Sequence, residues 1–161
     1  MPYPAIVIAN EIIKLAKAEG IPVTPMKLQK ILYLANGISY KRKDNKLINE
    51  RFEAWDYGPV VRNVYTIYRD FKGKFITEPI DELVHTNGYS FALASSFEVD
   101  DADLKVIKEA WDNSKNLDAF TLSAWSHNKN SPWDKAYYSI PKEVYISEDE
   151  IKSYFLKFIK E

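Results

Sequence analysis

The 161-residue chain contains no cysteine and only two histidines. The lack of cysteine excludes disulfides, thiolate catalysis and cysteine-based zinc sites, and it fits a reducing compartment. The imidazoles of His85 and His127 are not placed at a metal-binding spacing such as Glu-x-x-His. The five glycines form no phosphate-binding loop. We therefore expect no metal and no cofactor, and we assign no catalytic residue.

Neither sign of charge dominates, since 22 basic side chains face 23 acidic ones and the formal net charge is -1. Proteins dedicated to nucleic acids depend on neutralising phosphates, so this balance argues against that class. Long apolar runs are also missing, and none approaches the roughly 20 residues of a membrane-spanning helix. The N-terminus has no basic lead and no small-residue cleavage site. We expect a soluble, cytoplasmic protein without a membrane partner.

Apolar and aromatic residues are abundant, at 46% and 14% of the chain. This content is ample for a packed core, and the length fits one domain spanning residues 1–161. Apolar spacing and helix-start signals predict a mainly α fold of about six helices. The predicted helices cover residues 4–19, 25–40, 60–72, 102–113 and 118–127, with a last helix after the Ser147 and Glu150 capping box. Gly37 inside the second helix predicts close packing of another element, and Ser131, Pro132 and Trp133 are predicted to form a loop.

The sequence also predicts a small antiparallel β element. Alternating apolar residues near 51–55 indicate a strand. Asp56, Tyr57 and Gly58 after it predict a sharp turn. Pro59 is predicted to be the first residue of the helix that follows. A hairpin is predicted near 83–93, because Asn87 and Gly88 favour a type I′ turn between two apolar runs.

Two sets of polar residues leave other functions open. His127 could act as the general base of a hydrolase with Ser123 or Ser126, although no nucleophile elbow accompanies it. The alternative is that its ring caps helix carbonyls and packs on a tryptophan. The first two helices could form a helix-turn-helix regulator that presents Lys27, Gln29 and Lys30 to DNA, but the rest of that helix is mostly apolar.

Three segments together carry a family resemblance. They are residues 27–37 (KLQKILYLANG), residues 52–61 (FEAWDYGPVV) with Tyr65, and residues 122–133, in which Leu122, Ser123, His127, Pro132 and Trp133 stand out. With the closing Ile-x-x-Tyr-Phe at 151–155, this pattern resembles the Panacea domain, also called the SocA-like antitoxin or phage-associated protein family. The chain departs from the pattern at Ser126-His127, where Thr-His is usual, and over residues 78–99, which look longer or different.

The resemblance implies a bacterial or prophage antitoxin that neutralises a cognate toxin by direct protein contact. An alternative implied by the SocA-type member of the family is that this chain is an adaptor that delivers its toxin to a Clp-type protease. We expect the three segments to meet around Trp55, Gly58-Pro59 and His127-Trp133 as a structural centre. The toxin and the oligomeric state stay open.

The candidate residues for partner binding or for the family motif are Tyr33, Asn36, Trp55, Tyr57, Gly58, Pro59, Arg62, Tyr65, His127, Pro132 and Trp133. Tight protein inhibitors bind through a few desolvated aromatic or arginine side chains, which favours Trp55, Tyr57, Arg62, Tyr65 and Trp133. The alternative for Trp55 and Trp133 is a place in the core. Tyr57 and Arg62 could face either inward or outward.

Overall fold

The computed structural model describes residues 2–85 and 90–158 of the chain. Within them it has seven α-helices, which confirms the mainly α prediction and adds one helix to it. The helices are α1 (Ala5–Glu19), α2 (Pro25–Lys43), α3 (Arg62–Tyr68), α4 (Asp101–Ser114), α5 (Ala119–Ser126), α6 (Pro132–Tyr137) and α7 (Glu148–Phe158). Two separate antiparallel strand pairs accompany them, β1 (Glu53–Trp55) with β2 (Gly58–Val60) and β3 (Leu83–His85) with β4 (Phe91–Leu93).

Helix α2 runs through the centre of the molecule and packs against α1, α4, α5 and α7. It begins at Pro25, as its sequence predicts. Thr24 Oγ1 accepts a hydrogen bond from the Lys27 amide, and proline suits the first helical position because an N–H there would have no partner within the helix. Gly37 lies against the ring of Phe155 from α7, so closely that a Cβ at this position would clash with the ring. The predicted close approach at Gly37 is confirmed.

The prediction that Pro59 begins a helix is wrong. Residues Gly58–Val60 instead form β2, which pairs with β1 in the register Glu53–Val60, Ala54–Pro59 and Trp55–Gly58. Pro59 fits this strand because the amide of its partner Ala54 points the other way and donates to Val144 O at 2.8 Å. The helix starts three residues after Pro59, at Arg62.

The prediction of a loop at 131–133 is also wrong. Pro132 and Trp133 begin α6, and Ser131 Oγ accepts a hydrogen bond from the Asp134 amide at 3.1 Å. Serine followed by proline is the same start signal as Thr24-Pro25, so the sequence contained the information for this helix.

The hairpin predicted near 83–93 is confirmed by its strands, whose register pairs Leu83 with Leu93, Val84 with Ala92 and His85 with Phe91. The Asn87-Gly88 turn lies outside the described residues. A strand pair of this size needs support from its surroundings, and the buried side chain of Val84 provides it on one face.

The side chains proposed to read DNA are not available to do so. Lys27, Gln29 and Lys30 are 7%, 4% and 1% exposed, because α2 is covered on nearly every side. None of the helices in the described ranges combines the length and apolar character needed to cross a membrane.

Candidate functional site

The three sequence segments of the resemblance meet around the tight turn at residues 55–59. Each of three backbone carbonyls in this turn accepts a hydrogen bond from a different helix. The Trp133 indole of α6 donates to Trp55 O at 2.7 Å, and the Lys30 ammonium of α2 donates to Pro59 O at 3.1 Å. Ser123 of α5 donates through Oγ to Tyr57 O at 2.5 Å. We call this arrangement the hub, and it confirms that the segments share one place in the fold.

Gly58 is required at the centre of the hub. Its φ of +116° lies in the region that residues with a side chain rarely adopt. A Cβ built here would also lie 2.7 Å from Ser126 Oγ and 2.8 Å from Lys30 Cε. The glycine therefore allows α2, α5 and the turn to approach one another.

Most of the candidate residues are buried. Tyr33 is 1% exposed and packs edge-on against Phe52, Trp125 and Phe155. Asn36 is fully buried, and its Oδ1 accepts hydrogen bonds from the amides of the two residues that follow the α2 C-terminal turn, Leu47 and Ile48. The other buried candidates are Gly58, Pro59, Pro132 and Trp133.

His127 is part of the hub packing. Its ring stacks on Trp133 with the centroids 3.7 Å apart and the planes 11° from parallel. Burial, helped by the nearby charge of Lys30, lowers the pKa of His127 below its ordinary value of 6.5, so the imidazole is neutral at pH 7. The backbone N–H, and not the ring, bonds to the α5 carbonyls of Ser123 and Ala124.

The geometry does not support the hydrolase hypothesis. Ser123 Oγ donates to Tyr57 O, and Ser126 Oγ donates to Ser123 O at 2.7 Å. Within the described ranges neither hydroxyl is hydrogen-bonded to His127, whose Nε2 is buried without a hydrogen-bond partner. A serine nucleophile needs contact with its base, whereas both of these hydroxyls donate to backbone carbonyls. Among the residues described, no group of His, Asp or Glu side chains is placed to hold a metal.

The exposed candidates lie on the outer side of the same turn. Tyr57 is 68% exposed and Tyr65 is 41% exposed, so Tyr57 faces outward. Trp55 is half-buried and lies edge-on to the Tyr65 ring at 4.7 Å. The Arg62 side chain is 65% exposed, which settles its direction as outward too.

Glu53 fixes the position of Arg62. The buried carboxylate accepts hydrogen bonds from Arg62 Nε at 3.0 Å and Nη2 at 2.9 Å, and a third from Trp55 Nε1 at 3.2 Å. Burial alone would raise the pKa of Glu53, but the hydrogen bonds from Arg62 and Trp55 outweigh it and lower the pKa below its ordinary value. The guanidinium also lies 5.3 Å from the Trp55 ring, in cation–π contact. Glu53 thus fixes the positions of the Arg62 guanidinium and the Trp55 indole relative to each other.

Between the turn, α2 and α3 lies an open cavity of about 670 Å³, which we call the aromatic groove. It is lined mainly by apolar and aromatic side chains, with four cationic groups against one carboxylate. Its lining residues are Pro25, Met26, Gln29, Lys30, Ala54, Trp55, Asp56, Tyr57, Val60, Val64, Tyr65, Tyr68, Arg69, Lys72, Gly73 and Lys142. Such a combination suits a partner with both apolar and acidic groups.

Sequence reasoning missed Lys30 and Met26 as parts of this groove. Lys30 is 1% exposed, and burial lowers its pKa from 10.5 to about 8. Met26 is 40% exposed beside it. Because α2 is buried on nearly every side, its apolar pattern does not show which face meets the groove. The signal that could have found Lys30 is a lysine surrounded by residues that belong to the core.

Comparisons with known proteins show the family of the chain. A family model described as Antitoxin SocA-like, Panacea domain, matches residues 28–134, more than half of the chain and all of the hub. The curated Antitoxin SocA of Caulobacter vibrioides (strain NA1000 / CB15N) is 30% identical over 127 residues, which are 79% of this chain. The chain spans 66% of that relative's length, just under two thirds. No solved structure matches the chain.

Proposed function

The chain belongs to the SocA-like antitoxin family with the Panacea domain, and we propose that it neutralises a cognate toxin by binding it directly at the aromatic groove. The observation that carries the proposal is the pair of exposed rings at the groove inside the matched segment, Tyr57 on the turn and Tyr65 on α3. Membership in an antitoxin family favours a role without catalysis, and the buried, mutually bonded hub residues support it. The toxin is therefore proposed to meet the groove and not the hub.

The groove has the properties of a protein-binding surface. Tyr57 and Tyr65 offer large aromatic areas that are not yet buried, and Met26 adds an adaptable apolar side chain. The hub holds the turn by its carbonyls, and Glu53 holds the indole of Trp55, which lines the groove. Since these groups are already ordered, little conformational entropy is lost when a partner buries them.

The charge of the groove indicates what the toxin presents. Lys30, Arg69, Lys72 and Lys142 line it, opposed by Asp56 alone. We infer that the toxin inserts an apolar or aromatic side chain flanked by carboxylates. Lys30 is 1% exposed and bonded to Pro59 O, so it adds positive potential from below the surface. Arg69, Lys72 and Lys142 are exposed and are the groups that a partner's carboxylates would contact.

The test uses the protein encoded by the neighbouring reading frame as the toxin. Expressed alone it should stop growth, and co-expression with this chain should restore growth with the two proteins co-purifying. Tyr57→Ala combined with Tyr65→Ala should weaken the purified complex by about 30-fold or more, because such rings are typical hot spots. Tyr138→Ala is the matched control, since Tyr138 is also 68% exposed but does not line the groove.

Two results would contradict the proposal. One is a neighbouring protein that is harmless and forms no complex with this chain. The other is relief of toxicity that requires a Clp-type protease while the purified antitoxin leaves the purified toxin active. That second result would indicate delivery for degradation in place of direct neutralisation.

A further inference from the structure

The outer face of the β3–β4 hairpin is apolar and uncovered. Leu83 pairs with Leu93 and His85 with Phe91, so these four side chains lie on one face of the strand pair and define the outer hairpin face. Leu83, Phe91 and Leu93 are 64%, 59% and 45% exposed. The opposite face is packed on the core through Val84, which is 7% exposed. The hairpin is therefore apolar on both sides, although only one side is buried.

The base of this hairpin is firmly attached. Asn10 of α1 clamps the backbone of Ile80, donating through Nδ2 to its carbonyl at 2.7 Å and accepting its amide through Oδ1 at 3.0 Å. Asp81 accepts hydrogen bonds from the Ser95 amide at 2.9 Å and hydroxyl at 2.8 Å. The outer hairpin face is thus presented by a fixed support, which lowers the entropy lost on docking.

The sequence around the hairpin is acidic. Residues 75–104 contain no lysine or arginine and seven carboxylates, so all 22 basic side chains and 16 of the 23 acidic ones lie elsewhere. Part of this charge is compensated, since Glu78 pairs with Lys17 and Asp103 with Lys43. Glu82 and Glu98 are exposed and form no ion pair within the part of the chain that the structure describes.

We propose that the outer hairpin face docks on an apolar patch of the toxin that is ringed by lysine and arginine side chains. This inference rests on the proposed function and adds a second contact to it. The leucines and Phe91 would supply the buried apolar area, and the exposed carboxylates of the flanking sequence, Glu82 and Glu98, would steer the basic partner. The aromatic groove is cationic, so the two surfaces select opposite charges and address different patches of the toxin.

The experiment compares two double variants of the full chain in equilibrium binding to the purified neighbouring protein. Leu83→Ser with Phe91→Ser removes the apolar contact, and Glu82→Lys with Glu98→Lys reverses the charge. Each should weaken binding by about 30-fold, and the effect of the charge reversal should shrink as salt is raised. The controls Phe120→Ser and Glu143→Lys alter exposed residues elsewhere and should stay within about twofold of the original affinity.

Unchanged affinity in both double variants, with tight binding by the original chain, would overturn the hairpin contact and leave the proposed function intact. A pair of copies that separates only in the double variants, with toxin binding unaffected, would overturn it in favour of self-association. Circular dichroism of each variant checks that it is folded before its affinity is compared.

A partner-independent arm separates failure of the hairpin from failure of the proposed function. An amphipathic peptide of leucine and lysine should bind the original chain and perturb the amide resonances of 83–85 and 91–93. A leucine–glutamate peptide should not, and Leu83→Ser with Phe91→Ser should abolish the effect. If the leucine–lysine peptide leaves these resonances unchanged, the proposed chemistry of the face is wrong whatever the toxin does.

Discussion

The β1–β2 and β3–β4 hairpins have strands of the same length and the same antiparallel pairing, yet their surroundings differ. Five of the six strand residues in β1–β2 are buried, whereas one of six is buried in β3–β4. The first hairpin has its turn carbonyls bonded by side chains of α2, α5 and α6. The second is bonded at its base and exposes leucine and phenylalanine side chains beyond it.

Two hairpins with the same secondary structure can therefore have different roles, one in stability and the other in binding. Substitutions in the first hairpin and its hub should reduce stability, because each side chain there satisfies a buried polar group or fills space. Substitutions on the outer hairpin face should leave stability nearly unchanged and affect partner binding. The following predictions test this contrast.

The largest effect is expected for Gly58→Ala. The new Cβ would force a strained φ of +116° and contact Ser126 and Lys30, so the free energy of unfolding should fall by about 4 kcal/mol. Gly73→Ala is the matched control, because Gly73 has a φ of +81° but no atom within 4 Å of the added Cβ. It should cost about 1 kcal/mol in the same urea unfolding experiment. Equal losses would show that the hub does not close tightly around Gly58.

Lys30 should make stability depend on pH. Burial lowers its pKa from 10.5 to about 8, so between these values the unfolded chain holds a proton that the folded chain lacks. Unfolding free energy therefore rises with pH across this window, and below pH 8 the cost of burying the charge is fully present. Measured against Lys30→Met, the original chain should gain about 3 kcal/mol from pH 8 to 10.5. Parallel pH profiles of the two proteins would contradict the burial of a charged amine in the hub.

Trp133→Phe should cost about 2 kcal/mol of unfolding free energy, because Trp55 O loses its hydrogen bond and the smaller ring leaves a gap. Phe91→Leu in the exposed hairpin is the comparison, and it should change stability by less than about 0.5 kcal/mol. Thermal unfolding of both variants tests the contrast. Similar losses would mean that the outer hairpin face is packed in solution.

The smallest effect is expected for Leu83→Ala, which should alter unfolding free energy by less than about 0.5 kcal/mol because the side chain is 64% exposed. Val84→Ala, one residue along the same strand, should cost about 1 kcal/mol by emptying space in the core. Urea unfolding of the pair reports which face is buried. A larger loss of stability for Leu83→Ala than for Val84→Ala would mean that Leu83, and not Val84, faces the core.

Much of the fold could be predicted from local sequence. The helices predicted over 4–19, 25–40 and 118–127 are found within a few residues of those bounds, because local residues end or begin them. Gly20 ends α1, Thr24 caps the start of α2 and Asp118 caps the start of α5. The strand formed by 58–60 could not be predicted in this way. Its proline is acceptable because the backbone polar groups of the Ala54–Pro59 pair face away from the ladder, Ala54 N–H to Val144 O and Pro59 O to Lys30.

The meeting of the three motif segments was predictable, but the side chains that line the groove and the directions in which they point were not. The three motif segments named the hub residues, and their order along the chain led to the expectation that they meet. Which side chains face outward depends on contacts between elements, such as the hydrogen bonds from Arg62 of α3 to Glu53 of β1 that hold Arg62 on the surface. The buried amine of Lys30 was invisible for the same reason, since its neighbours come from β2 and α5.

Hydrogen–deuterium exchange of the free chain and of its purified toxin complex tests the central claim most directly. The account predicts slower exchange on complex formation around Tyr57 and Tyr65 and in strands β3 and β4. The parts of the hub in α5 and α6 should change little, because no residue of these helices lines the groove. Protection confined to other surfaces, with unaltered exchange around Tyr57 and Tyr65, would contradict binding of the toxin at the aromatic groove.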